Sequence, residues 1–424
     1  MINFFNYLLI FNVFGGGFVL STSLPFEFYV GYIFIISFFF YIIHYPNIGI
    51  NSNFLIILIA LTIFSLVNVY LENTTIFLMT KQVLGILITG TAYYLLIKIN
   101  KYEIDKLFKI YLRIALIVAV IGIFQEISYV VGFESGYDYS YIIQKWRFTP
   151  TTAGMLRVNS IFMEPSHFAI SMAPAFFVSL LSISRKNSPY LNIKVGRVGS
   201  LIVIISYILT FSAVAYVAIL ISLLLISSNV RKFRYLSLAS IIIIPIFIYT
   251  AYSYIPEIRM RVDDTIGVAT GSIKAADTNL STYSLASNAF VAYKSFTESP
   301  LIGHGLGSHP ISYDKFIRSG ASGGFWQEDY PVVNKKDAGS LFLRLASETG
   351  FFGVIVVLYF VFKFRLKTSN NKNLQIISNA IFTIFMIQLL KQGHYFYNGF
   401  FFFVWLYYFA YKIDKGSRAL GING

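Results

Sequence analysis

Five clusters in this chain carry residue types that can activate a hydroxyl or hold a phosphate. The first runs from Arg157 through Glu164-Pro165-Ser166 to His167, at the start of an apolar run. A Glu beside an Arg stays ionised, burial raises its pKa, and in either state it can serve as base toward a hydroxyl. Pro165 suits the first position of a helix. Glu164 would then cap that helix and only approach His167, with an arginine as its salt-bridge partner.

The second cluster is Arg259-Met260-Arg261-Val262-Asp263-Asp264. Guanidinium binds phosphate bidentately and keeps its charge, so two arginines leaving an apolar run suit a lipid-linked pyrophosphate. They equally suit a headgroup, or an ion pair with Asp263 or Asp264. The third, Pro300-Leu301-Ile302-Gly303-His304-Gly305-Leu306-Gly307-Ser308-His309-Pro310, spaces its glycines as a phosphate loop does, but no Gly-Lys-Ser/Thr follows. Its N–H groups could form an anion nest around Gly305, or the glycines could simply turn the chain. His304 and His309 read as acid/base groups or metal ligands. The fourth joins Asp337-Ala338-Gly339-Ser340 to Arg344 and Glu348, the last two on one helical face. The fifth, Lys391, His394 and Tyr395, is either a pyrophosphate contact or an interfacial anchor.

What must position these clusters is a set of membrane spans. The chain has 424 residues, 56% hydrophobic and only 12% charged, with mean hydropathy +0.68. About a quarter of a soluble domain is charged, so the composition predicts an all-α polytopic membrane protein. Aromatics make up 18%, enough for interfacial belts. The absence of cysteine excludes disulfides and thiolate metal sites. A net charge of +14 fits basic inner loops and anionic headgroups rather than nucleic acid. The first apolar run lacks a basic leader and a small-residue cleavage site, so it reads as a retained helix.

Runs long enough to cross about 30 Å of hydrocarbon give about twelve spans. They fall near 3–20, 28–44, 53–71, 80–98, 108–131, 166–183, 199–211, 213–228, 235–253, 341–362, 374–391 and 398–412. The stretch 199–228 suits a broken or re-entrant hairpin near 211–213. Lys and Arg gather at 98–109, 185–197, 231–234, 363–372 and 412–418, which places those loops and both termini in the cytoplasm. The chain thus divides into five spans over 1–131, a first outer loop over 132–165 and four spans over 166–253. A large outer loop over 254–340 and three spans with a cytoplasmic tail over 341–424 follow. An amphipathic helix is expected over Ser281 to Glu298, with Leu285, Phe290, Val291 and Phe296 as its apolar stripe on the membrane surface.

Taken in order, these features resemble the O-antigen polymerase and ligase superfamily. The similarity covers roughly residues 150–360. It rests on Pro300-Leu301-Ile302-Gly303-His304-Gly305-Leu306-Gly307-Ser308 and on Ser340-Leu341-Phe342-Leu343-Arg344-Leu345-Ala346-Ser347-Glu348-Thr349-Gly350-Phe351-Phe352-Gly353 at the two ends of the large loop's second half. Leu209-Thr210-Phe211-Ser212 resembles the family's span break, and Arg157 to Ser166 its Arg–Glu-Pro segment. The resemblance implies inverting glycosyl transfer at the periplasmic face of a bacterial inner membrane. The donor would be a glycan on undecaprenyl pyrophosphate and the acceptor another lipid-linked repeat unit. No metal or nucleotide cofactor is implied. Membrane lipids and a chain-length-regulating protein are the implied neighbours, and nucleic acid is not. Arg157, Glu164, His167 and Asp337 would be catalytic. Arg259, Arg261, His304, Gly305, Arg344, Lys391 and His394 would hold pyrophosphate and glycan. Ligases in this superfamily carry Arg after the span-break Ser and His-Asn before the late span, where this chain has Ala213 and Asp337-Ala338. The resemblance therefore favours polymerase over ligase. A flippase would place its polar residues at mid-membrane, often in inverted repeats.

Overall fold

A computed structural model of the chain describes residues 1–21, 27–43, 45, 49–149, 151, 154–184, 195–229, 249–250, 252–254, 256–321, 332–396 and 399–419. Its elements are α1 (Ile2–Phe11), β1 (Val19–Ser21), β2 (Phe28–Tyr29), α2 (Val30–Ile42), α3 (Ser52–Tyr70), α4 (Ile76–Ile99), α5 (Ile104–Val130) and α6 (Glu134–Tyr137). There follow α7 (Pro165–Ser184), α8 (Arg197–Ile208), α9 (Ala213–Asn229), α10 (Pro256–Thr270), α11 (Leu280–Glu298), α12 (His309–Ala321), α13 (Leu341–Lys363), α14 (Lys372–Leu390) and α15 (Phe400–Ala419). Among the described residues six helices are long and apolar enough to cross a membrane: α3, α4, α5, α7 as far as Ile183, α13 and α14. Four shorter apolar helices accompany them: α1, α2, α8 and α9 up to Ile226.

Polar side chains start several of these helices by accepting the first unpaired N–H groups. Asn51 accepts from Phe54, Thr75 from Leu78, and Asn371 from Asn373 and Leu374. At the start of α13 Ser340 accepts from Leu343. The bundle packs around α7, which lies against α8, α9 and α14, while α15 joins α14 to α4. Buried tyrosines knit it together. Tyr111 Oη donates to Ser171 O at 2.7 Å and Tyr207 Oη to Ala169 O at 2.9 Å.

The first expected span, 3–20, is helical only over Ile2–Phe11 and ends in the small antiparallel pair β1–β2. Gly15, Gly16 and Gly17 explain the break, since consecutive glycines carry the largest entropic cost in a helix. Gly17 is also required by space: a Cβ there would stand 2.7 Å from Ile143. The expected break in 199–228 lies between α8 and α9, where Phe211 has φ 43°. The ninth expected span, 235–253, lies almost wholly outside the described residues.

The first outer loop threads into the bundle. Gln125 Oε1 accepts from Ser160 N at 2.8 Å, Glu126 Oε2 from Leu156 N at 3.1 Å, and Leu209 O from Val158 N at 2.9 Å. Inside the large loop α11 matches the expected amphipathic helix in extent and in part of its face, with Val291 fully buried and Phe290 packed against the same cluster. It buries Thr282, Ser284, Ser287, Asn288, Val291, Ala292 and Ser295, whereas Leu285 is exposed. Small side chains let α11 approach α13 closely, and that approach outweighs the sparse apolar stripe.

Candidate functional site

The turn ahead of α13 and the segment after α14 fold onto each other. Gln392 N donates to Gly339 O at 2.9 Å and Ser340 Oγ to Leu389 O at 2.7 Å. Gly393 packs so closely that a Cβ would overlap Asp337 O at 1.5 Å. This docking brings His394 Nε2 to 3.3 Å from Asp337 Oδ2. Burial would raise the Asp337 carboxyl. The charges of His394 and Arg344 and the Gly339 N–H outweigh it and hold the group below its ordinary value.

His167, in the first turn of α7, feels the charges of Glu164, His394, Asp337 and Lys391. Five residues expected from the sequence to carry function therefore share one polar patch at one end of the spans. Three more cations border it, none of them expected as site residues. Lys81, six residues into α4's polar end, acts on His394, and Lys336 acts on both Lys81 and Glu27. Lys145 pairs with Glu27 at 2.5 Å. Lys81 was detectable in principle, because a lysine within an apolar run is a functional signal by default. Nothing local marked Glu27.

Glu164 precedes α7 with Pro165 as the first helical residue, as its type predicts. Its ion-pair partner is Arg147, at 3.0 Å, and not Arg157 as expected. Arg157 is half-buried, and its N–H donates to Thr149 O at 3.0 Å. The loop's insertion into the bundle reorders these neighbours, which sequence distance does not reveal.

Arg344, expected to hold substrate, forms a buried hub with Glu348. Arg344 Nε donates to Glu348 Oε1 at 2.9 Å and its Nη1 to Gly393 O at 3.1 Å, and its guanidinium lies 4.4 Å from the Tyr395 ring centroid. Glu348 also accepts from Gly307 N and from Tyr395 Oη, each at 2.9 Å.

The glycine-rich segment is a clamp on α13, which kinks at Gly350. At the kink the helical bonds of Ser347 and Glu348 are exchanged for bonds to this segment. Ser347 O and Glu348 O accept from His304 N and Gly305 N at 3.0 and 2.8 Å, while Phe351 N and Phe352 N donate to Pro300 O and Leu301 O. The N–H groups expected to make an anion nest at Gly305 are thus used within the chain. His304 is buried against Ser312, 3.1 Å from its Nδ1, and burial lowers its pKa although Glu298 opposes the shift. His309, fully buried between Ser347 and Asn288, is pushed down to about 3 by burial and by Arg344. Neither histidine belongs to a metal-binding group of three among the described residues.

Arg259 and Arg261 sit on α10, and no hydrogen bond or ion pair joins them to the Asp337 patch among the described residues. Arg259 is bound to its own turn, donating to Ser253 O at 2.8 Å and lying over the Tyr252 ring. Arg261 differs. Its acidic neighbours are committed elsewhere, Asp263 to Tyr252 Oη at 2.8 Å and Asp264 to Asn279 N at 2.7 Å. Its half-buried guanidinium makes no ion pair among the described residues.

Fold and site together define a multi-pass helical membrane protein with a charged patch where several spans end. No protein-family model matches the chain, and no curated protein matches it.

Proposed function

We propose that this protein is a surface-polysaccharide polymerase of the O-antigen type, joining lipid-pyrophosphate-linked repeat units at the periplasmic face of a bacterial inner membrane. In this reading the four shorter apolar helices, α15 and the stretch 235–253 complete twelve spans, with both termini in the cytoplasm. The observation that carries the reading is the His394–Asp337 pair at 3.3 Å, with the charge of Lys81 acting on His394, that of Lys336 on Lys81 and that of Lys391 on the neighbouring His167. In this reading the pair is the base, beside cations at one mouth of the bundle.

The acceptor hydroxyl loses its proton to the His394 imidazole, whose cationic form Asp337 stabilises. The hydroxyl oxygen bonds to the anomeric carbon as that carbon's bond to the pyrophosphate oxygen breaks. The departing pyrophosphate carries away the electron pair, and its charge is met by Lys391, Lys81, Lys336 and Arg261. Glu164 and His167 line the approach to the same patch. A ligase needs the same donor, but the Ala213 and Asp337-Ala338 departures favour the polymerase.

The test is the surface-glycan ladder of cells with and without the gene. Collapse from long chains to core plus one repeat supports the polymerase. Loss of all glycan-bearing bands, with polymer left on its lipid carrier, replaces it with ligase. Loss without such polymer replaces it with a flippase.

A further inference from the structure

We infer that the groove at the opposite, basic end of α5 binds the phosphate of an anionic glycerophospholipid. The groove encloses about 670 Å³ between α1, the start of α5, the start of α14 and the end of α15, and Tyr7, Lys109, Arg113 and Asn371 are among its lining. Lys106, Lys109, Ile110 and Arg113 recur at helical spacing, so three cations stack along one face of α5. Stacked like charges destabilise a helix unless a counter-charge is present.

Among the described residues that counter-charge is incomplete. Lys106 pairs with Glu103 at 3.2 Å. Asp105 acts on Lys109 from the same groove and accepts from Asn373 at 3.1 Å. Among the described residues Arg113 donates only to the Tyr7 hydroxyl, at 3.2 Å. Three cations against two carboxylates, Glu103 and Asp105, leave one positive charge, which one phosphodiester would balance.

Depth and surface identify the phosphate as a lipid's. From Arg113 to the end of α5 at Val130 is about 26 Å of helix, close to one hydrocarbon thickness. Arg113 and Lys109 therefore stand at headgroup level. Immediately beyond Arg113 the same face continues as Ile117, Val120, Phe124 and Ile127, all exposed. An acyl chain can lie along that stripe, whereas a free phosphate ester would make no use of it. Basic pockets between spans on the cytoplasmic side are where anionic headgroups bind. This inference does not rest on the proposed glycosyl transfer.

The experiment is native mass spectrometry of the purified full chain, titrated with phosphatidylglycerol or phosphatidylcholine of identical acyl chains. Phosphatidylglycerol should be retained at least tenfold better, and millimolar glycerol 3-phosphate should not displace it. The Lys109→Gln/Arg113→Gln double variant, eluting as the parent does, should fall to the phosphatidylcholine level, with Arg113→Lys in between. Equal retention of the two lipids by the unaltered protein overturns the proposal even if the variants fail to fold. Unchanged retention by a folded double variant overturns the placement, and displacement by glycerol 3-phosphate overturns the lipid as ligand.

Discussion

Arg344 and Glu348, one turn apart on α13, meet at 2.9 Å with side chains only 1% and 0% exposed. Breaking a buried pair by removing one charge leaves the other uncompensated, at a cost of about 3–5 kcal/mol. Glu348→Gln should therefore yield little folded protein in detergent, since the Gly307 and His309 N–H groups lose their charged acceptor too. Size exclusion and thermal melting read this directly, and a variant melting like the parent would contradict the hub.

The clamp built on that hub makes its own prediction. Gly303 has φ 63°, and a Cβ there would stand 2.5 Å from the Glu348 carbonyl carbon and the Thr349 nitrogen. Both contacts are backbone and cannot rotate away. Gly303→Ala should lower stability by about 1–3 kcal/mol. Gly271→Ala shares the positive φ but meets nothing within 4 Å, so it should cost less. Equal melting of the two variants would remove the steric argument.

At the charged patch, His394→Ala and Asp337→Asn should each reduce polymer formation by about 10²–10⁴-fold, the usual worth of a positioned acid or base. Protein level and folding should be unchanged for His394→Ala, because His394 is 42% exposed. A full-length glycan ladder from either variant at normal expression would exclude the pair as the base.

Arg261→Ala should abolish long chains while the protein still inserts, since its guanidinium is spoken for by no carboxylate among the described residues. Arg261→Lys should rescue only in part, as a point charge replaces a planar fork. Arg259→Ala should do less to activity and more to the turn it binds. Normal ladders from Arg261→Ala would confine the pyrophosphate to the lysines at the mouth.

His309 links stability to pH. Its folded-state pKa, about 3, lies below the ordinary value of 6.5. Below pH 6.5 the unfolded chain binds a proton that the folded chain refuses, so this contribution is whole above that pH and lost as pH falls toward 3. The loss should be about 2 kcal/mol by pH 5. His309→Gln, which does not titrate, should melt with a correspondingly flatter dependence between pH 7 and 5. Parallel curves for parent and variant would show that His309 is not held neutral.

Much of the architecture is legible from composition and apolar runs alone. A membrane span is specified locally, by about 20 apolar residues that must satisfy their own backbone, so α3, α4, α5, α7, α13 and α14 lie close to where hydropathy puts them. Pro165 likewise marks the start of α7, because a proline constrains its own helix. What needed tertiary structure is who faces whom. Glu164 pairs with Arg147 instead of Arg157 because the first outer loop is threaded between α5 and α8. The glycine segment is a clamp because the His304 and Gly305 N–H groups meet the Ser347 and Glu348 carbonyls at the kink of α13, and the Gly307 N–H meets the Glu348 carboxylate, 41 residues away. Asp337 and His394 meet because the loops flanking α13 and α14 dock, and Lys81 joins them from α4. Such pairings depend on the packing of helices remote in sequence, which local periodicity does not encode.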